Sequence, residues 1–229
     1  MKIAVAGLGA IGLWLAGRLL AAGHEVRCFA RGATLEALQR DGLRLTFEGQ
    51  ESATPVFATD DPKALGPVDL LLLTPKSQAL PALAAQLAPA ITQATTIVPL
   101  CNGVPWWFLA EAPAPLKGSA MPGIDPGGAC ERAWPLDQVL GSVVHASATL
   151  AAPGRGVHVM GNGLLLGPVV DAGASRLAPV VEVFEAAGFK VGPQSVASLR
   201  QEVWYKLWGN MTMNPLSALT GVTCDVLLS

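Results

Sequence analysis

Hydrophobic positions follow two different periods along this chain, and the change from one to the other marks its elements. Lys2 to Ala6 (KIAVA) is a short β-prone apolar run, as a buried parallel strand requires. Gly7 to Gly12 reads as a turn. An apolar helix follows it through about Ala22, and Gly23-His24 ends that helix as a C-terminal glycine should. Glu25 to Ala30 (EVRCFA) is a second strand and completes a βαβ unit. Thr34 to Arg40 reads as a short helix. Leu43 to Ala58 alternates apolar and polar residues around Glu48-Gly49-Gln50, which predicts a hairpin. Val68 to Leu73 and Thr95 to Leu100 are further buried strands, with a helix from Leu80 to Leu87 between them.

The middle is less regular. Glu111 to Pro135 is rich in proline and glycine (MPGIDPGG within it) and reads as a loop or insertion. β-type runs return in VLGSVVHASATL and GVHVMGNGLLLG, the second carrying a predicted turn at Gly161-Asn162-Gly163. Ala174 to Ala187 is an amphipathic helix closed by Gly188, Phe189 to Val191 a last strand, and Ser198 to Met213 a new helix. Alternating strands and helices predict an α/β fold, an open doubly wound sheet over residues 1–197. Residues 198–229 read as the start of a second, all-α domain. One helix and a tail cannot build a core, so they are expected to pack on the α/β domain or on another chain.

Composition narrows the function classes. The chain has 229 residues, 51% hydrophobic and 14% charged, with mean hydropathy +0.44, which excludes disorder. A net charge of −2 offers no basic field for nucleic acid or anionic membrane. Cys28, Cys101, Cys130 and Cys224 lie far apart without CxxC spacing, so no metal site or disulfide framework is expected, and a reducing cytoplasm fits. Residues 1–23 have the outline of a signal peptide. Arg18 interrupts the apolar run, however, and Gly7, Gly9, Gly12 and Gly17 stand where a turn and a close helix contact need them.

Gly7-Leu8-Gly9-Ala10-Ile11-Gly12 lies between a predicted strand and a predicted helix, the setting in which GxGxxG binds a dinucleotide. The first glycine allows the tight turn, the second lets a pyrophosphate approach the backbone, and the third permits close packing. The helix N-terminus adds free N–H donors and a positive dipole. This is a Rossmann-type arrangement. At the end of the second strand, where an NAD enzyme carries an acid for the ribose, the chain has Arg31. An arginine there can pair with a 2′-phosphate, which favours NADP(H).

In WYKLWGNMTMNPL, Lys206, Asn210 and Asn214 fall at i, i+4 and i+8 and stack along one helix stripe. Trp204, Leu207, Trp208 and Met211 occupy other faces and can pack inward. A lysine and two amides aligned among such residues suggest a polar ligand, since unpaired buried polar groups are costly. An ammonium beside a ketone can polarise the carbonyl and protonate the alkoxide formed on hydride delivery. Lys76 and Asn102 each follow an apolar strand, where ligands of open α/β sheets bind.

These motifs resemble the ketopantoate reductase family over nearly the whole chain: KIAVAGLGAIG, the arginine of FAR, the lysine after VDLLLLTP, the CNG segment, GVHVMGNGLLLGP and VWYKLWGNMTMNPLSALTG. The resemblance implies NADPH-dependent reduction of 2-dehydropantoate to pantoate, a step towards pantothenate and coenzyme A. It assigns Lys206 as the catalytic lysine, Asn210 and Asn214 as substrate contacts, Asn102 as a contact to nicotinamide and substrate, and Lys76 and Arg31 as cofactor contacts. Family members usually carry more helices after this point, so the chain reads as lacking most of that domain. Trp204, Trp208 and Leu227-Leu228 are then expected to be exposed, and self-association, of which a homodimer is one form, or poor solubility is expected. Two other readings stay open: a β-hydroxyacid dehydrogenase, which also places lysine and asparagine at i and i+4, and an NADP(H)-binding relative without chemistry.

Overall fold

A computed structural model describes residues 1–228. In chain order the elements are β1 (Lys2–Ala6), α1 (Ala10–Ala21), β2 (Glu25–Phe29), α2 (Gly32–Asp41), β3 (Leu43–Phe47), β4 (Gln50–Thr54), β5 (Phe57–Thr59) and α3 (Pro62–Leu65). There follow β6 (Leu70–Leu73), α4 (Leu80–Gln86), β7 (Thr96–Pro99), α5 (Ala129–Ala133), β8 (Leu140–Ala152) and β9 (Arg155–Pro168). The last are α6 (Leu177–Ala186), β10 (Lys190–Pro193), α7 (Val196–Thr220) and α8 (Cys224–Leu227). Five parallel strands form the first sheet in the order β5-β2-β1-β6-β7. The order reverses direction at β1, with β2 on one side and β6 on the other. In an open sheet that crevice is where a ligand binds.

The second sheet has the order β10-β9-β3-β4, with β8 antiparallel to β9. It lies across α1, whose sequence AIGLWLAGRLLA is apolar nearly all round and buries Leu13, Trp14, Leu15, Ala16 and Leu19. A helix apolar on every side needs cover on every side. Here the first sheet lies under it, and β3, β8 and β9 lie over it. Gly17 permits that approach, because a Cβ at this position would lie 2.8 Å from Leu45 Cδ2. Ile97 pairs with Val139 in a parallel bridge that joins the two sheets at the start of β8.

Several predicted elements change. The predicted hairpin over 43–58 is shorter, ending at Thr54, and Phe57–Thr59 leaves it to pair with β2 in the other sheet. Gly161-Asn162-Gly163 is not a turn but lies inside β9, and the chain reverses at Pro153-Gly154 instead. Gly161 has φ +77° and faces a register shift of β8 between His145 and Ser147. A bulge and a turn both ask for positive φ, so composition alone does not separate them. The Pro/Gly-rich stretch contains α5, whose Cys130 and Glu131 N–H groups donate to the buried carboxylate of Asp125. Finally α7 runs seven residues beyond the predicted end at Met213, through Pro215. Those residues are largely exposed, so water can satisfy the carbonyl that loses its donor.

Among the described residues no helix is long and apolar enough to cross a membrane, and residues 1–23 are spent on β1, the glycine turn and α1. The bulge makes a stability test. At Gly161 an added Cβ would lie 2.5 Å from the His145 carbonyl oxygen, whereas at Gly209 on α7 nothing lies within 4 Å. Gly161→Ala is expected to lose about 2–5 kcal/mol from strained φ and overpacking. Gly209→Ala is expected to gain about 0.5–1 kcal/mol from helix entropy. Urea midpoints of both variants against the parent check the pair.

Candidate functional site

The glycine turn sits at the C-terminal end of β1. Gly7 has φ +101°, and a Cβ on it would lie 2.5 Å from Pro75 N. A Cβ on Gly12 would lie 2.3 Å from the Gly7 carbonyl oxygen, so this glycine lets α1 close onto the turn. Gly9 has nothing within 4 Å of its would-be Cβ. Its bare backbone opens on a cleft of about 800 Å³ that Leu8, Ala10 and Ile11 also line. The N–H groups of the first turn of α1 have no partner within the helix, which makes this end a donor for an anion. Thr74 pins the turn from β6, its Oγ1 donating to Gly7 O at 2.6 Å.

Arg31 and Lys76 border the same cleft from two sides. Arg31 is the residue at the N-terminal cap of α2 and is exposed, and Thr34 lines the cleft beside it. Among the described residues no carboxylate pairs with Arg31. Lys76 is exposed and precedes a 3₁₀ turn over Ser77–Ala79. Asn102, also exposed, follows β7, and with Cys101 and Ser77 it lines both this cleft and a second, smaller cavity.

That second cavity, of about 40 Å³, holds Lys206 and Asn210 together with Asn102. Ser195 starts α7 with a reciprocal cap, its Oγ accepting from Ser198 N while Ser198 Oγ accepts from Ser195 N. Leu199 and Val203 anchor the helix in the core, and Lys206 and Asn210 continue their face along the axis. Lys206 Nζ donates to the Val144 carbonyl oxygen at 2.5 Å. Burial strips water from the ammonium and lowers its pKa below the ordinary lysine value. Asn214, predicted on the same stripe, is exposed and lines neither cavity. The helix has left the body of the protein by that turn. Trp204, Trp208 and Met211 lie on the faces of α7 away from Leu199 and Val203 and do not pack inward; they are 57%, 66% and 61% exposed.

A family model for ketopantoate reductase PanE/ApbA matches residues 3–170 of this chain. The curated 2-dehydropantoate 2-reductase of Mesorhizobium japonicum is 39% identical over the whole chain, which spans 70% of that relative. The chain belongs to the ketopantoate reductase family. Among solved structures, a ketopantoate reductase candidate of Ralstonia solanacearum shares 43% identity at a TM-score of 0.93, covering 99% of this chain and 70% of its own. A PanE/ApbA family ketopantoate reductase from Ralstonia eutropha shares 30% identity at a TM-score of 0.77, covering 97% of this chain and 65% of its own.

Within this member of the family, several lining residues carried no signal that could be read from spacing. Thr74 and Ser77 stood beside a residue singled out for other reasons. Ala146, Ser147 and Ala148 line the larger cleft at the stretch where β8 shifts register against β9. Trp106 and Trp107 follow the CNG segment after Val104-Pro105, and their nearness in sequence to Asn102 was the available clue. Cys101 and Cys130 also line the smaller cavity, but burial pushes each thiol up to about 12, which removes them as nucleophiles.

The lowered pKa of Lys206 has a consequence for stability. Between its folded and unfolded pKa values the folded chain binds fewer protons than the unfolded chain, so stability rises with pH across that window. Denaturation midpoints of the parent are expected to gain on those of Lys206→Met as pH climbs towards the ordinary lysine value. Equal slopes for the two proteins would contradict the buried ammonium.

Proposed function

We propose that this chain carries out NADPH-dependent reduction of 2-dehydropantoate to pantoate, or of a closely related 2-keto acid, in the cytoplasm. The observation that carries the reading is the meeting of the two cavities. Asn102 and Ser77 line both, so a group held in the dinucleotide cleft would adjoin a ligand held against Lys206 and Asn210. The residues suit a dinucleotide: Gly9 leaves backbone open to a ligand, and a Cβ at Gly7 or Gly12 would fill the turn. Arg31, on the rim of the cleft, would take the 2′-phosphate, and Lys76 would add a second positive charge. NADPH, when bound, supplies the hydride.

The remaining chemistry belongs to the chain. The Lys206 ammonium, held by one hydrogen bond to Val144, keeps N–H donors for a keto oxygen. Its depressed pKa makes it a better proton donor to the alkoxide as charge develops there. Asn210 and Asn102 would orient the carboxylate and hydroxyl ends of the substrate. Asn214 would act only in an assembly that closes over this face.

The test is 2-dehydropantoate-dependent oxidation of NADPH. Lys206→Ala is expected to abolish turnover, with a loss of roughly 10²–10⁴-fold as for removal of a general acid. Arg31→Ala is expected to raise KM for NADPH by roughly tenfold or more, the worth of one charge-assisted contact, while leaving the weak use of NADH unchanged. NADPH binding without turnover would favour a relative that has lost its chemistry.

The reading extends to assembly with a second copy. Trp204, Tyr205, Trp208, Met211 and Leu219 are exposed along α7, and Leu228 beyond it. Residues 203–228 carry only Lys206 and Asp225 as charges, so the face offers little to a charged partner and can meet its own apolar surface. Light scattering is expected to give a dimer or larger species that Trp208→Glu disperses. A monodisperse monomer of the parent at high concentration would overturn this.

A further inference from the structure

The chemistry assigned to this site needs Lys206 and Asn102 at a fixed separation, yet the two stand on elements far apart in the chain. Lys206 is on α7, and Asn102 follows three residues after Pro99, which ends β7. One buried hydroxyl links their supports. We propose that Ser142 is a positioning residue for the reduction: it holds the Val144 carbonyl against Lys206 and ties that carbonyl to the strand that leads to Asn102. The inference rests on the reductase reading above and adds to it a residue that acts through Lys206.

Three observations carry it. Ser142 is buried, and its Oγ donates to the Pro99 carbonyl oxygen at 2.7 Å. The chain after Pro99 is fastened on its other side to the end of β6. Leu100 N donates to Leu73 O at 2.7 Å, and Cys101 Sγ to Pro75 O at 3.2 Å. Val144, two residues beyond Ser142 on the same strand, presents its carbonyl oxygen to Lys206 Nζ at 2.5 Å. Little else fixes that carbonyl. The pairing of β8 with β9 shifts register after His145, and the Ile97–Val139 bridge holds only the start of β8, five residues before Val144. The hydroxyl of Ser142 therefore sets where the acceptor of Lys206 lies relative to the parallel sheet. Its loss leaves a buried carbonyl at Pro99 without that donor and frees β8 to move. A buried ammonium depends on such an acceptor, because the carbonyl opposes the cost of desolvation.

The experiment follows acetylation of Lys206 by acetic anhydride against pH, read by mass spectrometry, beside kcat and KM for NADPH and 2-dehydropantoate. Ser142→Ala is expected to lower the acetylation midpoint by roughly 0.5–1 pH unit, part of the worth of a hydrogen bond to a charged group. kcat is expected to fall roughly tenfold, with KM for NADPH unchanged, since Ser142 does not line the larger cleft. Ser142→Thr keeps the hydroxyl and is expected to restore the midpoint and kcat. Cys101 and Cys130 also line the cavity, but their thiols are pushed up to about 12 and stay neutral over this range. Glu202, one turn earlier on α7, and His145, next on β8, are common to every protein compared. Leu166→Val, opposite Ser142 on β9 and outside the cavity, is expected to lower the urea midpoint without moving the acetylation midpoint. That pair separates positioning from a general loss of stability. Ser142→Cys, close in size and a weak donor, is expected to shift the midpoint the same way and decides the matter if Ser142→Ala does not fold. A midpoint that is unchanged or raised in the folded variants, or a Ser142→Thr that shifts as far as Ser142→Ala, would overturn the proposal. Failure of the parent to reduce 2-dehydropantoate is a different result: it would overturn the reductase reading, and the acetylation midpoints would still decide whether Ser142 acts on Lys206.

Discussion

The burial of α1 between two sheets is the contact on which the rest depends. This helix has almost no polar face, so it cannot lie on a surface, and it is stable only with β1 and β2 below and β3, β8 and β9 above. Three glycines let it fit. Gly12 admits the turn that precedes it, Gly17 admits Leu45 of β3, and Gly156 admits Leu13, since a Cβ there would lie 3.0 Å from Leu13 Cβ. Once the helix is seated, its N-terminus has one direction to point, into the crevice between β1 and β6. The larger cleft is thus a by-product of packing as much as of motif.

The same packing explains why β8 touches both cavities. Ser142 to Val144 line the smaller one, and Ala146, Ser147, Ala148 and Leu150 the larger, where β8 shifts register against β9 after His145. Ser142 is fastened to β7 through its hydroxyl, which donates to Pro99 O at 2.7 Å. Val144, two residues on, presents its carbonyl to Lys206. A strand anchored to the parallel sheet therefore holds the one ammonium in the smaller cavity. Desolvation of that ammonium is unfavourable, and the carbonyl offsets part of it.

The helix α7 divides into two parts by burial. Its first two turns belong to the α/β core through Leu199 and Val203, and its later turns stand in solvent with their aromatic residues uncovered. The candidate chemistry lies at the junction of these parts. Lys206 and Asn210 are half-buried because the helix is leaving the body there.

By itself the sequence determined the elements whose physics is local. The strand KIAVA, the turn at Gly7 to Gly12, the helix after it and the second strand with Arg31 all stand where spacing and glycine chemistry put them, because each is specified by neighbours within a few residues. The i, i+4 relation of Lys206 and Asn210 was legible for the same reason. Spacing did not reveal that Asn214 falls outside, since where a helix leaves a core depends on what packs against it. Nor could it separate the bulge at Gly161 from a turn, or assign β5 to one sheet and β3 to the other. Those outcomes are partner choices between segments distant in the chain, of which Arg44 opposite Arg155, more than a hundred residues on, is an instance. The tertiary structure alone decided that Trp106 and Trp107 wall the cavity of Lys206. Their place depends on the missing Cβ of Gly141 and on the hydrogen bonds of Arg200, contacts that no local pattern encodes.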